Sequence, residues 1–342
     1  MKKSLIALAI LAASGAAMAQ SSVTLYGIAD IWVGSEKNEL LDPDTGASTL
    51  GTKRVAKINS GGFNGSRFGF RGSEDLGGGL KAVFRLEQGF SMDTGVANTF
   101  ETPAGATVST AFNRQAFVGL EGGFGSVTFG NVWSATDDVI GAANGAFDSS
   151  FSPLYSMSGS VHSSYQDRPR NAIKYASPDF GGFTAAVVYG LDESAAVSED
   201  VVDFNLAYAA GPVGASLAYQ VQNGAPDDVN LTLLNGSYDL GVAKLLASFG
   251  QVKAGAAKSN TVQLGVDVPL SSALTLSGSF GQTRDNAANG DGKRDGFGIA
   301  AKYSLSKRTF TYAGLVSVNE KDGAGTKVGK LNLYAVGLQH SF

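Results

Sequence analysis

Cysteine is absent from the 342 residues, and histidine, tryptophan and proline are scarce. Without cysteine the chain has no disulfide, no thiol nucleophile and no CxxC metal site. The two histidines, His162 and His340, are too few for a His-rich metal site, so we expect neither a metal nor a cofactor. Stability must therefore come from hydrogen bonding and packing.

Long apolar runs are missing as well. Outside residues 1–19 no run of about 18 or more apolar residues occurs, which excludes transmembrane helices. A disordered chain is also excluded, because 43% of the residues are hydrophobic and 10% are aromatic. With 46 glycines and only 16% charged residues, two classes stay open: a soluble all-β protein and an outer-membrane β-barrel.

The first 19 residues have the pattern of a Sec signal peptide. Lys2 and Lys3 precede an apolar run, and Ala17-Met18-Ala19 ends the segment with small residues. The apolar run is about ten residues long, which is too short to span a bilayer. We predict a cleaved signal peptide at 1–19 and a single domain at 20–342. Loss of two lysines takes the net charge from −4 to −6, and this acidic balance argues against a nucleic-acid partner.

Most of the mature chain alternates between apolar and polar residues with a period of two, which predicts strands. In residues 80–87, apolar side chains share one face, while Lys81, Arg85 and Glu87 share the other. Each such segment is about ten residues long, enough to cross the apolar layer of a membrane as a tilted strand. Sixteen are predicted, near residues 22–33, 66–73, 80–90, 113–121, 124–131, 171–177, 182–190, 202–210, 212–222, 229–240, 242–252, 260–268, 273–282, 295–304, 308–318 and 330–342.

The faces of these strands and their connections favour a membrane barrel. Short turns such as 121–124 alternate with longer polar loops such as 285–292. The apolar faces are predicted to meet lipid, including the face formed by Phe310, Tyr312, Val316 and Val318. The opposite faces carry Ser, Thr, Gln, Gly, Lys and Arg, and about sixteen strands enclose an interior too wide for side chains to fill. We therefore predict an all-β, 16-stranded antiparallel transmembrane β-barrel with a wet lumen.

The segment 131–170 is the longest without a strand period. A loop of this length inside a compact domain is usually functional. We predict that its part at about 132–167 is the third long loop, folded inward so that it narrows the pore.

The inward-facing charges are mainly basic. Strand parity directs these side chains to the lumen: Arg67, Arg71, Lys81, Arg85, Lys174, Lys244 and Lys302. Arg114 joins them if Phe117 faces lipid, whereas the wall carboxylates are mainly Asp30, Glu87 and Asp267. Clustered arginines in a narrow pore favour anions.

The long segment has the opposite charge over most of its length. It carries Asp137, Asp138 and Asp148 but no lysine or arginine before Arg168. An acidic loop against a basic wall would be held inside by attraction, and a transverse field would cross the opening.

Motifs for catalysis are weak. Residues 304–307 match S-x-x-K without the partner motifs of acyl enzymes, and residues 285–296 lack the ligands of a calcium loop. His162 has serine neighbours, but its sequence context gives no hydrolase pattern. We expect no enzymatic activity.

Five stretches spread over the mature chain carry a family resemblance. They are SVTLYG from Ser22, SRFGFRGSEDLGGGLKAVFRLEQGF from Ser66, NRQAFVGLEGGFGSVTFGN from Asn113, RPRNAIKYASPDFGGF from Arg168 and YAVGLQHSF from Tyr334. These stretches are similar to the Gram-negative general porins of the neisserial, Bordetella and Burkholderia type. The resemblance implies a homotrimer of sixteen-stranded barrels, with the third loop inside and an anion preference.

The resemblance also assigns residues. The family's constriction arginines would fall on Arg67, Arg114 and Arg168, with Arg170 as a close competitor of Arg168. The terminal Phe342 resembles the signal that the barrel-assembly machinery reads. The loop lacks the PEFGG-like stretch of enterobacterial porins. Which of the carboxylates Asp137, Asp138 and Asp148 faces the arginines therefore stays open.

These observations predict a general diffusion porin in the outer membrane of a Gram-negative cell. It would pass small hydrophilic solutes and anions passively and would contact outer-membrane lipids and lipopolysaccharide. The first alternative is a substrate-specific outer-membrane channel, which would need aromatic or specifically placed polar residues along the lumen. The second is an enzyme or adhesin on a barrel scaffold.

Overall fold

The computed structural model describes residues 22–39, 53–101, 107–109, 111–193, 200–224 and 226–342. The predicted signal peptide lies outside these ranges. None of the helices in the described ranges is long and apolar enough to cross a membrane.

The described residues form nineteen strands, most of them near the predicted segments. They are β1 (Ser22–Asn38), β2 (Val55–Ser60), β3 (Arg67–Gly77), β4 (Leu80–Gly89), β5 (Thr99–Glu101), β6 (Thr107–Ser109), β7 (Gln115–Gly122), β8 (Gly125–Asn131), β9 (Ala172–Ala176), β10 (Phe183–Gly190), β11 (Val201–Ala210), β12 (Val213–Gln222), β13 (Val229–Asp239), β14 (Lys244–Ala254), β15 (Ala257–Pro269), β16 (Leu274–Asp285), β17 (Lys293–Ser304), β18 (Thr309–Lys321) and β19 (Lys327–Ser341).

Seventeen of these strands form one closed antiparallel sheet. Neighbours in the chain pair with each other, and β19 returns to pair with β1. Strands β2 and β3 both pair with β1, at its two ends, so they are two parts of one crossing strand. The barrel therefore has sixteen crossing strands, as the sequence predicts. The sequence does not predict the small hairpin of β5 and β6 between β4 and β7.

The two faces of the barrel wall differ as the alternation predicts. In β11, Phe204 and Leu206 are exposed, whereas the alternating Asp203 and Asn205 are buried. The same alternation holds in β10, β15 and β17. In these strands large apolar side chains thus lie on the outer surface, which suits lipid, and the inner face carries polar or small residues apart from Val188 of β10.

Strand β18 reverses this arrangement. The residues predicted to meet lipid, Phe310, Tyr312, Val316 and Val318, belong instead to an apolar cluster with Phe151, Leu154 and Met157. The prediction for this face is therefore wrong. Its side chains pack against another segment of the chain, so they need neither lipid nor water as a neighbour.

That segment is the long loop, which joins β8 to β9 and comprises residues 132–171. It is built from short helical turns at Asp137–Ile140, Ala146–Asp148, Pro153–Ser156 and Val161–Ser164. It bonds to polar side chains of strands distant from its own ends. Asp203 of β11 accepts from Thr136 N at 2.9 Å, and Asn235 of β13 donates to Val139 O at 2.8 Å.

The middle of the long loop packs against glycines in β16, β17 and β18. A Cβ added to Gly298 would collide with the carbonyl oxygen of Phe151, and one on Gly314 would lie 2.6 Å from the Phe151 ring. A Cβ on Gly281 would lie 2.9 Å from Leu154. The absent side chains therefore let the loop approach the backbone of the wall closely.

Candidate functional site

Two segments enclose a cavity of about 520 Å³ on the inner side of the wall. One is the long loop, and the other is the turn at residues 61–66, which separates β2 from β3. The charged residues of the cavity lining are Arg67, Arg114, Arg168, Asp137, Asp148 and Asp167. The three arginines that the resemblance assigns to a constriction thus line a single cavity.

Two of these arginines come from the wall and the third from the end of the long loop. Arg67 begins β3, and its Nε donates to Gly65 O at 2.9 Å. Arg114 lies just before β7, and its Nε donates to Glu87 Oε1 at 2.7 Å. A guanidinium group stays charged in proteins, so Arg67, Arg114 and Arg168 make this side of the cavity positive.

The indole of Trp133 supports two of the arginines. The Cζ atom of Arg168 lies 4.5 Å from the ring centroid, and that of Arg114 lies 5.2 Å from it. Both distances are within the range of cation–π attraction. The ring can therefore orient both guanidinium groups without neutralising them. The sequence analysis did not single out Trp133, since only the folded loop brings it to the arginines.

Two carboxyl groups of the long loop are held by phenols. Tyr165 OH donates to Asp137 Oδ1 at 2.7 Å, and Tyr155 OH donates to Asp148 Oδ1 at 2.8 Å. Burial raises the pKa of Asp137 to about 7, and burial raises the pKa of Asp148 to about 6. This side of the cavity therefore loses negative charge as the pH falls through neutrality.

Asp138 does not line the cavity. Its Oδ2 lies 2.7 Å from Lys174 Nζ of β9, so the pair fastens the start of the long loop to the wall. Adjacent residues of a helical turn point in different directions, which separates Asp138 from Asp137. The third cavity carboxylate is Asp167, which pairs with Arg168 at 2.7 Å. The sequence analysis overlooked Asp167 because it adjoins the basic residues that end the loop.

Arg71 and Arg85 lie elsewhere on the inner face. They are opposite each other in β3 and β4, and they line a second cavity of about 320 Å³. The Arg85 Cζ lies 5.8 Å from the Phe117 ring centroid, so Phe117 faces inward and the premise that it faces lipid is wrong. Arg114 still reaches the cavity because it precedes β7 and does not follow the alternation of that strand.

The other predicted basic residues are also outside the lining of the first cavity. Lys81 is exposed and lies opposite Asp75 of β3. Arg170 is exposed, so Arg168 and not Arg170 supplies the third arginine. Lys302 Nζ lies 5.2 Å from the Phe147 ring centroid, and Lys244 lines a separate cavity.

No catalytic arrangement emerges around the histidines in the described part of the chain. His162 is buried edge-to-face against Tyr155, with ring centroids 5.5 Å apart. Burial lowers the pKa of His162 to about 4, so the ring is neutral at physiological pH. The described residues contain no group of three or more His, Asp or Glu side chains placed to hold a metal ion.

Comparisons with known proteins point to one family. A family model described as "Gram-negative porin" matches residues 4–323. The chain is 34% identical to outer membrane porin protein 32 of Delftia acidovorans, over 99% of this chain and 95% of that protein. It is 30% identical to an outer membrane porin protein of Bordetella pertussis over 100% of both chains. A solved structure, the anion-selective porin from Comamonas acidovorans, matches with a TM-score of 0.75 at 27% identity, over 94% of this chain and 100% of that one.

Proposed function

This chain belongs to the Gram-negative porin family, and we propose that its arginine-lined cavity is the constriction of a pore that prefers anions. The protein is an outer-membrane β-barrel porin, a general diffusion channel. We propose that this channel is narrowest at the cavity and that anions pass it more easily than cations.

One observation carries the proposal: the two sides of the cavity carry opposite charges of unequal strength. Arg67, Arg114 and Arg168 stay charged at neutral pH. Facing them, Asp137 takes up a proton near neutral pH, because burial raises its pKa to about 7. Asp167 is paired with Arg168. Asp148, which accepts from Tyr155, also loses charge as the pH falls because burial raises its pKa to about 6. We infer that the three arginines outweigh the carboxylates and lower the energy of a permeating anion.

The contacts of the long loop support an inward fold. The loop bonds to polar side chains of β11 and β13, and its apolar middle packs on β16, β17 and β18. A segment that leaves the wall at β8 and returns at β9 makes these contacts by crossing the lumen. We infer that it divides the wide interior and leaves the cavity as the narrow passage.

A transverse field would also act on neutral polar solutes. Arginines on one side and carboxyl groups on the other orient the dipole of a small hydrophilic molecule as it enters. An apolar solute gains nothing from this field and displaces ordered water. We therefore expect small polar solutes to pass faster than apolar ones of equal size.

The reversal potential of the purified porin in a planar lipid bilayer tests the ion preference. Under a KCl gradient, the sign of the potential at zero current reports whether chloride or potassium is the more permeant ion. We expect the sign that indicates chloride. A potential that indicates potassium would overturn the assignment of the cavity as an anion-favouring constriction.

A substrate-specific channel is the second candidate, because aromatic rings also line the cavity. Phe63, Trp133, Tyr155 and Tyr165 surround the charged groups, and such rings can bind a planar solute. Block of the ionic current by an aromatic carboxylate at low concentration would favour this candidate. Passage of unrelated sugars and amino acids at rates set by size would favour general diffusion.

The outer surface near β18 supports a trimer. Thr311, Ala313 and Ser317 are small residues on the outer face of this strand, and Ser317 Oγ donates to Asn332 Oδ1 at 2.9 Å. Small and polar residues suit a neighbouring protein better than lipid. We propose that this face meets other copies of the chain in a homotrimer. Ala313→Trp should give monomers in light scattering if the face is the contact.

Export and assembly are proposed to depend on the chain ends. Residues 1–19 would be removed on export, which amino-terminal sequencing of the mature protein can check.

The backbone of Phe342 pairs with Gly27 in both directions, at 2.9 and 3.0 Å, and closes the barrel beside β1. Deletion of Phe342 should slow assembly through the barrel-assembly machinery. Lipids and lipopolysaccharide would surround the outer face.

We also propose that the protein catalyses no reaction. The relatives are porins, and the buried neutral His162 is a poor candidate for a base. A lipase assay on the purified protein tests this, and loop deletion with a cell-binding assay tests an adhesin role.

A further inference from the structure

The turn at residues 61–66 interrupts a crossing strand in the middle of the wall. Before the interruption β2 pairs with β1 up to Ser60, which lies opposite Ile31. After it β3 resumes with Arg67 opposite Ile28. Residues 61–66 are therefore not part of the strand pairing, although they lie within one crossing of the wall. They project toward the cavity, which Phe63, Asn64 and Gly65 line.

The carboxylate of Asp30 holds this turn. Its Oδ1 accepts from Gly62 N at 3.0 Å, and its Oδ2 accepts from Phe63 N at 2.9 Å and from Asn64 N at 2.8 Å. Tyr312 OH donates to Oδ1 from β18. Asp30 is completely buried, so its charge is balanced by four donors and not by water.

Backbone groups of Asp30 fix the ends of the same turn. Gly61 N donates to Asp30 O at 3.1 Å, Ser66 Oγ donates to Asp30 O at 3.0 Å, and Asp30 N donates to Ser66 Oγ at 3.0 Å. At the first position Gly61 has φ of +76°, which favours glycine. The shape of the turn is therefore set by one residue of the neighbouring strand.

The turn is also joined to the long loop. Ser150 N donates to Gly62 O at 3.0 Å, and Ser150 Oγ donates to Gly61 O at 3.0 Å. The Phe63 ring packs against Phe147 and Tyr312, with centroids 5.3 and 4.7 Å apart. The two segments that enclose the cavity are thus fastened to each other on one side.

The far end of the turn leads directly to the arginines. Arg67 follows Ser66, and its Nε donates to Gly65 O at 2.9 Å. A Cβ on Gly65 would lie 3.4 Å from Arg114 Nη1, so the turn also lies beside the second wall arginine. Any movement of the turn therefore moves both the rim of the cavity and its positive charges.

We propose that Asp30 is a positioning residue of the pore, which sets the width of the constriction and the position of Arg67 by holding the turn at 61–66. The proposal rests on the function proposed above for the cavity. Asp30 itself does not line the cavity and does not meet the permeating solute. Its effect passes through the turn, which acts as a second constriction element opposite the long loop.

Asp30→Asn is the direct test because it keeps the shape of the side chain. The new amide NH₂ would replace one of the two oxygens, so at least one hydrogen bond from a backbone N–H of the turn is lost in either orientation, whereas Tyr312 OH could turn and accept from the NH₂. Tyr312→Phe removes a single donor and keeps the ring in its cluster. Ser150→Ala removes the side-chain bond from the loop to Gly61 O.

The readout is the swelling rate of proteoliposomes in uncharged sugars of rising size, which does not depend on the loss of a charge. For Asp30→Asn we expect passage of larger sugars and a conductance increase of about twofold, because the passage widens. Tyr312→Phe and Ser150→Ala should also raise the sugar size limit and the conductance, but by smaller amounts than Asp30→Asn. Asp267→Asn is the matched control, since Asp267 is an inner-face carboxylate bonded to Ser277 and distant from the turn.

The outcomes separate the two proposals. If Asp30→Asn, Tyr312→Phe and Ser150→Ala keep the wild-type size limit and conductance, as Asp267→Asn should, the role of Asp30 is overturned. If Asp30→Asn does not fold, the other two variants decide alone. If Arg67→Ser combined with Arg114→Ser leaves the reversal potential unchanged, the constriction itself is misassigned, whatever the Asp30 variant does.

Discussion

Arg114 and Glu87 form an ion pair on the inner face of the wall, with 2.7 Å between Nε and Oε1 and side chains only 10% and 4% exposed. Glu87 also accepts from Tyr26 OH at 2.9 Å. The pair fixes the direction of Arg114, and it removes part of the positive charge from the arginine cluster. We therefore expect selectivity to depend on a carboxylate that does not line the cavity.

Glu87→Gln should make the channel more anion-selective. The amide keeps a hydrogen-bond acceptor for Arg114, but the negative charge beside the arginines is gone. The reversal potential under a KCl gradient should move further toward the chloride value. A move toward the potassium value would mean that Arg114 has left the cavity.

Glu87→Ala should behave differently, because it removes the carboxylate that accepts from the buried Arg114. Breaking a buried ion pair costs about 3–5 kcal/mol, so we expect a lower unfolding temperature than for Glu87→Gln. Thermal unfolding of both variants in detergent checks this. Equal stability of the two would show that the pair contributes little to the fold.

Anion preference should increase as the pH falls from about 8 to about 5, since Asp137 and Asp148 take up protons near pH 7 and pH 6. The three arginines keep their charge over this range.

The raised pKa of Asp137 also means that the folded state binds its proton more tightly than the unfolded state. Stability should therefore fall as the pH rises toward about 7.

Asp137→Asn is the matched variant for this pH dependence. It should be more anion-selective than the wild type at neutral pH and respond less to acid, and the remaining response should come from Asp148. Reversal potentials at several pH values compare the two proteins. A wild-type selectivity that is constant over the range would contradict the raised pKa values of the loop carboxyls.

Tryptophan fluorescence should detect anions in the arginine-lined cavity. The chain contains two tryptophans, so Trp32→Phe leaves Trp133 as the sole emitter beside Arg114 and Arg168. Iodide should quench this emission much more than caesium does, because the arginines concentrate anions. Adding Arg114→Ser should reduce the difference. Equal quenching by both ions would argue against a positive cavity around Trp133.

Gly298→Ala should disturb the packing of the long loop against the barrel wall. The added methyl meets the carbonyl oxygen of Phe151, and such overpacking costs about 1–3 kcal/mol. We expect a lower unfolding temperature and an altered conductance. Gly236→Ala is the control, because a Cβ there meets nothing within 4 Å. Similar effects of both substitutions would show that the loop does not depend on the glycines of β16 to β18.

The barrel could be predicted from the sequence because alternation in each strand reports the contrast between lipid and a wet interior. The prediction fails in β18, where Tyr312, Val316 and Val318 face the long loop. Alternation along a strand identifies which side chains share a face, but it does not identify which segment packs against that face. A loop whose apolar side chains pack against this face inverts the expected pattern.

The resemblance groups Arg67, Arg114 and Arg168, and these three residues line one cavity, whereas strand parity reaches Arg114 only through a wrong premise about Phe117. The acidic half of the site could not be predicted, because the directions of carboxylates in irregular turns are not set by a sequence period. Asp138 turns to Lys174, whereas Asp137 faces the cavity one residue earlier. Trp133 and Asp30 act through contacts between segments distant in sequence, which no local pattern reports.

The reversal potential of Arg67→Ser combined with Arg114→Ser, compared with that of the wild type, tests the central claim most directly. We expect the wild type to favour chloride and the double variant to lie much closer to zero, because two of the three cavity arginines are gone. A wild type that favours potassium, or a double variant with wild-type selectivity, would contradict the assignment of this cavity as the constriction.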